Sequence, residues 1–242
     1  MNIFYLVLLT LGILLSSYLI GSISWATIIA KYFYHIDIHK FGSGNAGGTN
    51  LGRACGKKAA YICILLDVFK VVIAVWSWFF ILELTPLKDF IYSINEHLSL
   101  GLFYYLGGIG AALGHCFPIF EHFKGGKCVS CYGGFCLCTN YMLAILGFSI
   151  FLIIFAIKKK VSLASILGVF IVLLFSITFS TIEYFIPGST LWMYWFPSSL
   201  KLDPSFYFTF YIFVYTILVI SLHHANIKRL INKTEPDTHY KK

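Results

Sequence analysis

An all-α, polytopic integral membrane protein with seven transmembrane helices, one of them a short half-span, is the fold class this sequence predicts. Composition, the recurrence of apolar runs and the placement of basic residues between those runs carry the prediction. Of 242 residues, 59% are hydrophobic and 12% charged, and the mean hydropathy is +0.82. Ten acidic and 18 basic residues could not clothe a soluble domain of this size. Several runs reach the about 20 apolar residues that one bilayer crossing needs.

The first run, Ile3 to Ala30, has no basic residue ahead of it and no small-residue cleavage site behind it, so it reads as a span rather than a cleaved leader. Further spans are expected at Ala59 to Leu82, Leu98 to Phe120, Val161 to Thr181 and Phe206 to His223. The run from Val129 to Ile157 is awkward: as one helix it would measure about 43 Å, too long for a core of about 30 Å. A break near Thr139 and Asn140 divides it into a short half-span and a full return span.

Charge supports that break, because Lys and Arg collect in cytoplasmic loops. With seven crossings, the N-terminus outside and the C-terminus inside, 15 of the 18 basic residues face the cytoplasm. Lys88 and Lys201 then lie outside, and Lys70 lies within a span. A single crossing would instead put Lys158 to Lys160 opposite Lys124 and Lys127. The net charge of +8 is thus mostly topology, and no nucleic acid partner is implied. The short helix should start beside a site, since a helix end inside a bilayer must be covered by protein or meet a wet cavity. No repeat or polar linker divides the chain, so residues 1–242 read as one membrane-embedded domain.

The outer loops are expected at Glu83 to His97 and about Ile182 to Ser205. The second carries Trp192, Tyr194, Trp195 and Pro197, which read as interfacial anchors.

Two glycine-rich basic segments need a reason in so apolar a chain. The first, Asp37 to Lys58, holds Gly42, Gly44, Gly47, Gly48, Gly52 and Gly56, with Ser43, Asn45, Thr49, Asn50 and Arg53 between them. The second, Gly114 to Lys127, ends in Lys124-Gly125-Gly126-Lys127, just before the short span. Glycines let backbone N–H groups converge on an anion, and the cations supply charge, so a phosphate ligand fits both. The spacing is not Gly-x-x-x-x-Gly-Lys-Ser/Thr, which argues against ATP.

A third polar segment closes the last span with His223, Asn226, Lys228 and Arg229, where His223 and Asn226 would share a helical face. Ser162 and Ser165 begin another span, where capping is the default reading. Asp67 and Lys70, at i, i+3 in a span, can neutralise each other or brace the site from below. The seven cysteines include Cys128 and Cys131 at CxxC spacing, with His115 and His122 nearby. Small buried hydrophobes in a reducing compartment account for them better than zinc, so no metal is expected.

Together the segments resemble the bacterial glycerol-3-phosphate acyltransferases that use acyl phosphate, the PlsY family. The likeness covers nearly the whole chain. It is carried by GSIS at Gly21 to Ser24, FGSGNAGGTNLGRACGKKA at Phe41 to Ala59, LLDVFK at Leu65 to Lys70, LGHCFPIFEHFKGGK at Leu113 to Lys127, VSLASI at Val161 to Ile166, and HHANIKRL at His223 to Leu230. The resemblance implies a seven-helix bundle with a cytoplasm-facing site in the bacterial cytoplasmic (inner) membrane. It implies acyl transfer from acyl phosphate to the sn-1 hydroxyl of glycerol 3-phosphate, the first step of phospholipid biosynthesis, giving lysophosphatidic acid and phosphate. Its implied catalytic residues are Ser43, Arg53, His223 and Asn226. Asn45, Lys124, Gly125, Gly126, Lys127 and Ser162 are implied for substrate binding, and Glu235 for a structural role. No cofactor is expected, nor any obligate protein partner; acyl phosphate, glycerol 3-phosphate and membrane lipids are the expected partners.

The residues themselves agree on the donor. Thioester-using acyltransferases commonly carry Asp five positions after a catalytic His, and none of the eight histidines here has one. An acyl phosphate is already activated, and its leaving phosphate can accept the proton. The chain departs from the family pattern at Gly48 (usually Ala), Cys128 and Lys233 (usually Gly), and Cys131 (usually small or hydroxyl). The competing class is a transporter of a phosphorylated metabolite, which short helices and intramembrane charge also suit. An odd number of spans, the lack of a repeat, and cations gathered on one face weigh against it.

Overall fold

The computed structural model describes residues 2–190, 193–195 and 206–238. The helices are α1 (Asn2–Gly21), α2 (Trp25–Tyr34), α3 (Gly48–Cys55), α4 (Lys57–Leu84), α5 (Leu87–Ile94), α6 (Gly101–Cys116), α7 (Val129–Thr139), α8 (Tyr141–Lys158), α9 (Val161–Phe185), α10 (Phe206–Leu222) and α11 (His224–Ile231). Single 3-10 turns lie at Ile38–Lys40 and Ile119–Glu121. No strand occurs among the described residues. Trp192, Pro197, Lys201, Lys241 and Lys242 lie outside them.

Among the described residues five stretches are long and apolar enough to cross a membrane: Ile3–Tyr34, Lys57–Leu84, Gly101–Glu121, Tyr141–Lys158 and Val161–Phe185. The α10 and α11 pair, bent by 62°, makes a sixth, and α7 is a shorter apolar helix of 11 residues. The first span is not the unbroken helix that the sequence suggested. Its backbone opens at Ser22 to Ser24, where Ser24 caps α2 through the N–H of Thr27, and it runs on to Tyr34. Open backbone at such depth needs protein partners, and the ammonium of Lys70 donates to the freed carbonyl of Ile23 at 3.2 Å.

The long fourth run breaks where the charge pattern placed the break. Asn140 ends α7 and caps α8, its side chain accepting from the Leu143 N–H at 3.0 Å. The carbonyls at the end of α7 are then taken up one by one. Trp76 Nε1 donates to Cys138 O at 2.8 Å, the Asn140 N–H to Cys136 O at 2.9 Å, and Trp195 Nε1 to Leu137 O. Tyr194 bridges to Asn140. The aromatic residues Tyr194 and Trp195 therefore seal the end of α7.

Small residues let the backbones of α1 and α6 touch: a Cβ at Gly21 would lie 2.1 Å from Ala111 O, and one at Gly114 the same distance from Tyr18 O. Tyr105, Phe135, Phe208, Tyr211 and Tyr215 fill the bundle centre edge to face or stacked. The buried hydroxyl of Tyr215 donates to Gly108 O at 2.6 Å. Ser180 and Thr209 join α9 to α10 at 2.7 Å. Only Leu143 of α8 is buried, so that helix presents its surface to lipid.

One end of the bundle gathers the polar loops. There the Ala46 N–H donates to Gly125 O at 3.3 Å, Lys127 to Asn226, and the Thr238 N–H to Lys159 O at 2.8 Å. The opposite end carries α5 and the Lys88 to Glu83 ion pair at 2.7 Å.

Candidate active site

Asn50 shapes the first glycine loop. From the first turns of α3 its buried amide donates to Phe41 O at 2.9 Å and Ile38 O at 3.2 Å, and accepts from the Ser43 N–H at 3.0 Å. The loop thus folds over one side chain, with Gly42 and Gly44 at φ +52° and +70°. Ser43 is left exposed, its hydroxyl accepting from the Asn45 amide at 3.1 Å. Gly48, a departure from the family pattern, has a local reason: a Cβ there would meet Ile64 Cγ1 at 2.4 Å.

The second segment turns back against the end of α6. The Gly126 N–H donates to His115 O at 3.0 Å. A Cβ on Gly125 would lie 2.1 Å from His115 O, and one on Gly126 would lie 2.1 Å from His115 Nε2, so both positions demand glycine for space. Cys128, the N-cap of α7, holds φ +67°, the left-handed region that a family glycine would occupy without strain.

The third segment and the tail form a latch. His223 is not on a helical face with Asn226 as the spacing suggested, but is the N-cap of α11. Asn226 donates to Glu235 Oε1 at 2.7 Å and accepts from Lys127. Ser162 Oγ and Arg229 Nε also donate to the Glu235 carboxylate, at 2.6 and 2.7 Å. Ser162 is therefore an anchor for the tail and not the cap of α9, whose N-cap Lys160 makes no side-chain cap bond. Lys160 itself reaches Glu235 O and Asp237, at 2.8 and 2.6 Å.

Between the loops lies a cavity of about 470 Å³, lined by Ser43, Gly44, Asn45, Lys124, Gly125, Gly126 and Lys127, with His39, His224, Cys116, Phe117, Phe123 and Leu222 as the rest of its wall. Six of the expected site residues thus share one wall: Ser43, Asn45, Lys124, Gly125, Gly126 and Lys127. Arg53, Ser162, His223 and Asn226 are not among its lining residues, though His223 falls between the lining Leu222 and His224. No carboxylate lines it.

Burial and the nearby Arg229 and Arg53 charges push Lys127 below an ordinary lysine, against the pull of Glu235. Burial alone would raise the Glu235 carboxyl; its bonds from Ser162, Asn226 and Arg229 outweigh burial and hold it low. His223, just past the end of α10, is buried. Its Nδ1 contacts Val219 O at 2.8 Å, and a carbonyl only accepts, so the neutral ring carries its proton there and keeps Nε2 as an acceptor.

Among the described residues no group of three or more His, Cys, Asp or Glu side chains is placed to hold a metal, and none of the seven cysteines forms a disulfide. Asn50 and His115 organise the two loops yet were not singled out as site residues from sequence. Both lie inside the recognised motifs, which was the available signal.

A family model described as glycerol-3-phosphate acyltransferase matches residues 11–233. The chain is 36% identical to the glycerol-3-phosphate acyltransferase of Mycoplasma capricolum subsp. capricolum, over 94% of this chain and 93% of the relative. It is 33% identical to that of Bacillus cytotoxicus, over 97% and 98%. It also resembles the crystal structure of PlsY, an integral membrane glycerol 3-phosphate acyltransferase, in its glycerol 3-phosphate form, at 29% identity and a TM-score of 0.68 over 96% of both chains. The lysophosphatidic acid form of that protein matches at 28% identity and a TM-score of 0.69 over 94% of both.

Proposed function

Because this chain belongs to the glycerol-3-phosphate acyltransferase family, we propose that its cationic cavity transfers an acyl group from acyl phosphate to the sn-1 hydroxyl of glycerol 3-phosphate. It is a multi-pass membrane acyltransferase acting on glycerol 3-phosphate. The observation that carries the site reading is the junction of both glycine loops on one cavity whose charged lining is entirely basic.

Two phosphates need more than one cation. Lys124 and Lys127, with Arg53 behind them, bind the phosphates of donor and acceptor, and the Gly125 and Gly126 turn gives the acceptor phosphate a close backbone approach. Ser43 and Asn45 face the same space and hydrogen-bond phosphate or carbonyl oxygens. The acceptor hydroxyl oxygen attacks the acyl carbon, the new ester bond forms, and the acyl carbon to phosphate oxygen bond breaks. The proton leaves with inorganic phosphate, so the protein needs no dedicated base. Neutral His223 offers Nε2 to orient the hydroxyl. Asn226 acts on Lys127, since its amide already bridges that lysine and Glu235. Catalysis is then chiefly positioning and charge stabilisation.

We place residues 1–242 in one domain that crosses the bacterial cytoplasmic membrane seven times, counting α7, with the N-terminus outside and the C-terminus and site inside. The gathering of the basic loops at one end of the bundle supports this orientation. Membrane lipids are the expected surroundings and the route of the acyl donor.

Purified protein in detergent, given palmitoyl phosphate with and without glycerol 3-phosphate, should release phosphate only with the acceptor and form lysophosphatidic acid seen by mass spectrometry. Turnover with palmitoyl-CoA and none with palmitoyl phosphate would overturn the donor assignment.

A further inference from the structure

We infer that Asp67, Lys70 and His115 are positioning residues that set the glycine-lysine turn and, through it, the affinity for the acceptor phosphate. This rests on the reading that Gly125, Gly126 and Lys127 hold glycerol 3-phosphate.

All three side chains are at least nine-tenths buried within the bundle: Asp67 is 1% exposed, Lys70 3% and His115 6%. Lys70 Nζ lies 3.0 Å from Asp67 Oδ1 and 2.9 Å from His115 Nδ1, and Asp67 Oδ1 lies 3.4 Å from the same ring nitrogen. The ammonium also donates to Ile23 O at 3.2 Å. One cluster thus ties α4, α6 and the break between α1 and α2. Ionic groups inside a membrane bundle are costly, and a simple brace between helices is achieved more cheaply by apolar contacts.

The free edge of the cluster points to the second purpose. His115 meets the turn twice, through its carbonyl, which accepts from the Gly126 N–H, and through Nε2, which occupies the place where a Gly126 Cβ would be. On its other side the ring is held at Nδ1 by the Lys70 ammonium at 2.9 Å, itself paired with Asp67 at 3.0 Å. Rotating the imidazole would therefore displace Gly126, and Lys127 is the next residue. None of the three acids and bases lines the cavity, so they act through the turn and not on the substrate.

The test compares His115→Leu, His115→Asn and the charge-free double variant Asp67→Asn/Lys70→Met with the wild type, all as purified full-length protein checked by thermal unfolding. Asn keeps a polar group near the place of Nδ1, whereas Leu does not. His115→Leu and the double variant should raise KM for glycerol 3-phosphate about tenfold or more, while KM for palmitoyl phosphate stays within about twofold. His115→Asn, which keeps the Nδ1 side but gives up the Nε2 contact with Gly126, should raise the acceptor KM in the same direction. An unmoved acceptor KM, an equal rise in both KM values, or a fall in kcat alone would overturn the inference. If the double variant does not fold, the two His115 variants decide it. Wild-type turnover in the same series tests the site reading separately: an inactive wild type sinks that reading, and an active one with unmoved variants sinks only the positioning role.

Discussion

The two ends of α7 do opposite things. At its C-terminal end every carbonyl from Cys136 to Cys138 has a protein donor, from Asn140, Trp195 or Trp76. At its N-terminal end, Gly125, Gly126 and Lys127 open onto a cavity, and the Lys127 ammonium donates to Asn226. Inside a bilayer a polar group must be satisfied by protein or by something that enters. An end whose carbonyls are all taken up by protein donors is structural, and an end left facing a cavity marks where a ligand belongs.

The sharpest test of this contrast is Lys127→Met, which should lower kcat/KM about 10²- to 10³-fold, the usual cost of removing one preorganised charge-stabilising group. Steady-state phosphate release measures it, and a loss under about tenfold would break the assignment of the N-terminal end. Glu235→Gln attacks the latch behind that lysine. It replaces charge-assisted bonds worth about 1.5–3 kcal/mol each, so it should lower the melting temperature and free residues 233–238 to a protease. Trp76→Phe probes the C-terminal end instead. It leaves Cys138 O without that donor and should cost about 1–3 kcal/mol of stability while kcat stays near wild type. A large loss of kcat there would erase the difference between the two ends.

Lys233→Gly is a smaller test, of strain rather than chemistry. Lys233 is exposed at φ +58°, so glycine should stabilise the tail by about 1 kcal/mol. Cys128 sits at φ +67° also, but it is buried, and removing its side chain would open space as it relieved strain.

The last expectation is an absence of effect. Burial and the bond from Nδ1–H to the Val219 carbonyl hold the His223 ring neutral. The kcat profile should therefore show no His223 limb near about 6.5, the ordinary imidazole value. A limb there that vanishes in His223→Gln would show that the ring is not held neutral.

Much of the fold was legible because membrane spans are written in composition. The half-span was found from length and charge alone, since a run of that size cannot be one helix without stranding Lys158 to Lys160. The opening at Ser22 to Ser24 was not, because a serine pair in an apolar run is tolerated within a helix unless something else binds the freed carbonyl. That partner, Lys70, is 47 residues away. Ser162 was read as a cap for the same reason: local rules place a serine at a helix start, and the acid that claims it, Glu235, is 73 residues further on.

The sequence by itself determined the chemistry available to this protein: cations and glycines on one side of a membrane, no thioester-type His and Asp pair, and helices of set length. Tertiary structure alone decided how those groups are used. It set Lys127 against Asn226 and Glu235, turned His223 into a helix cap with one nitrogen free, and put a buried charged cluster beneath the turn. Composition and periodicity act over a few residues, whereas these contacts join positions tens of residues apart, and only the packing of the helices brings them within hydrogen-bond reach.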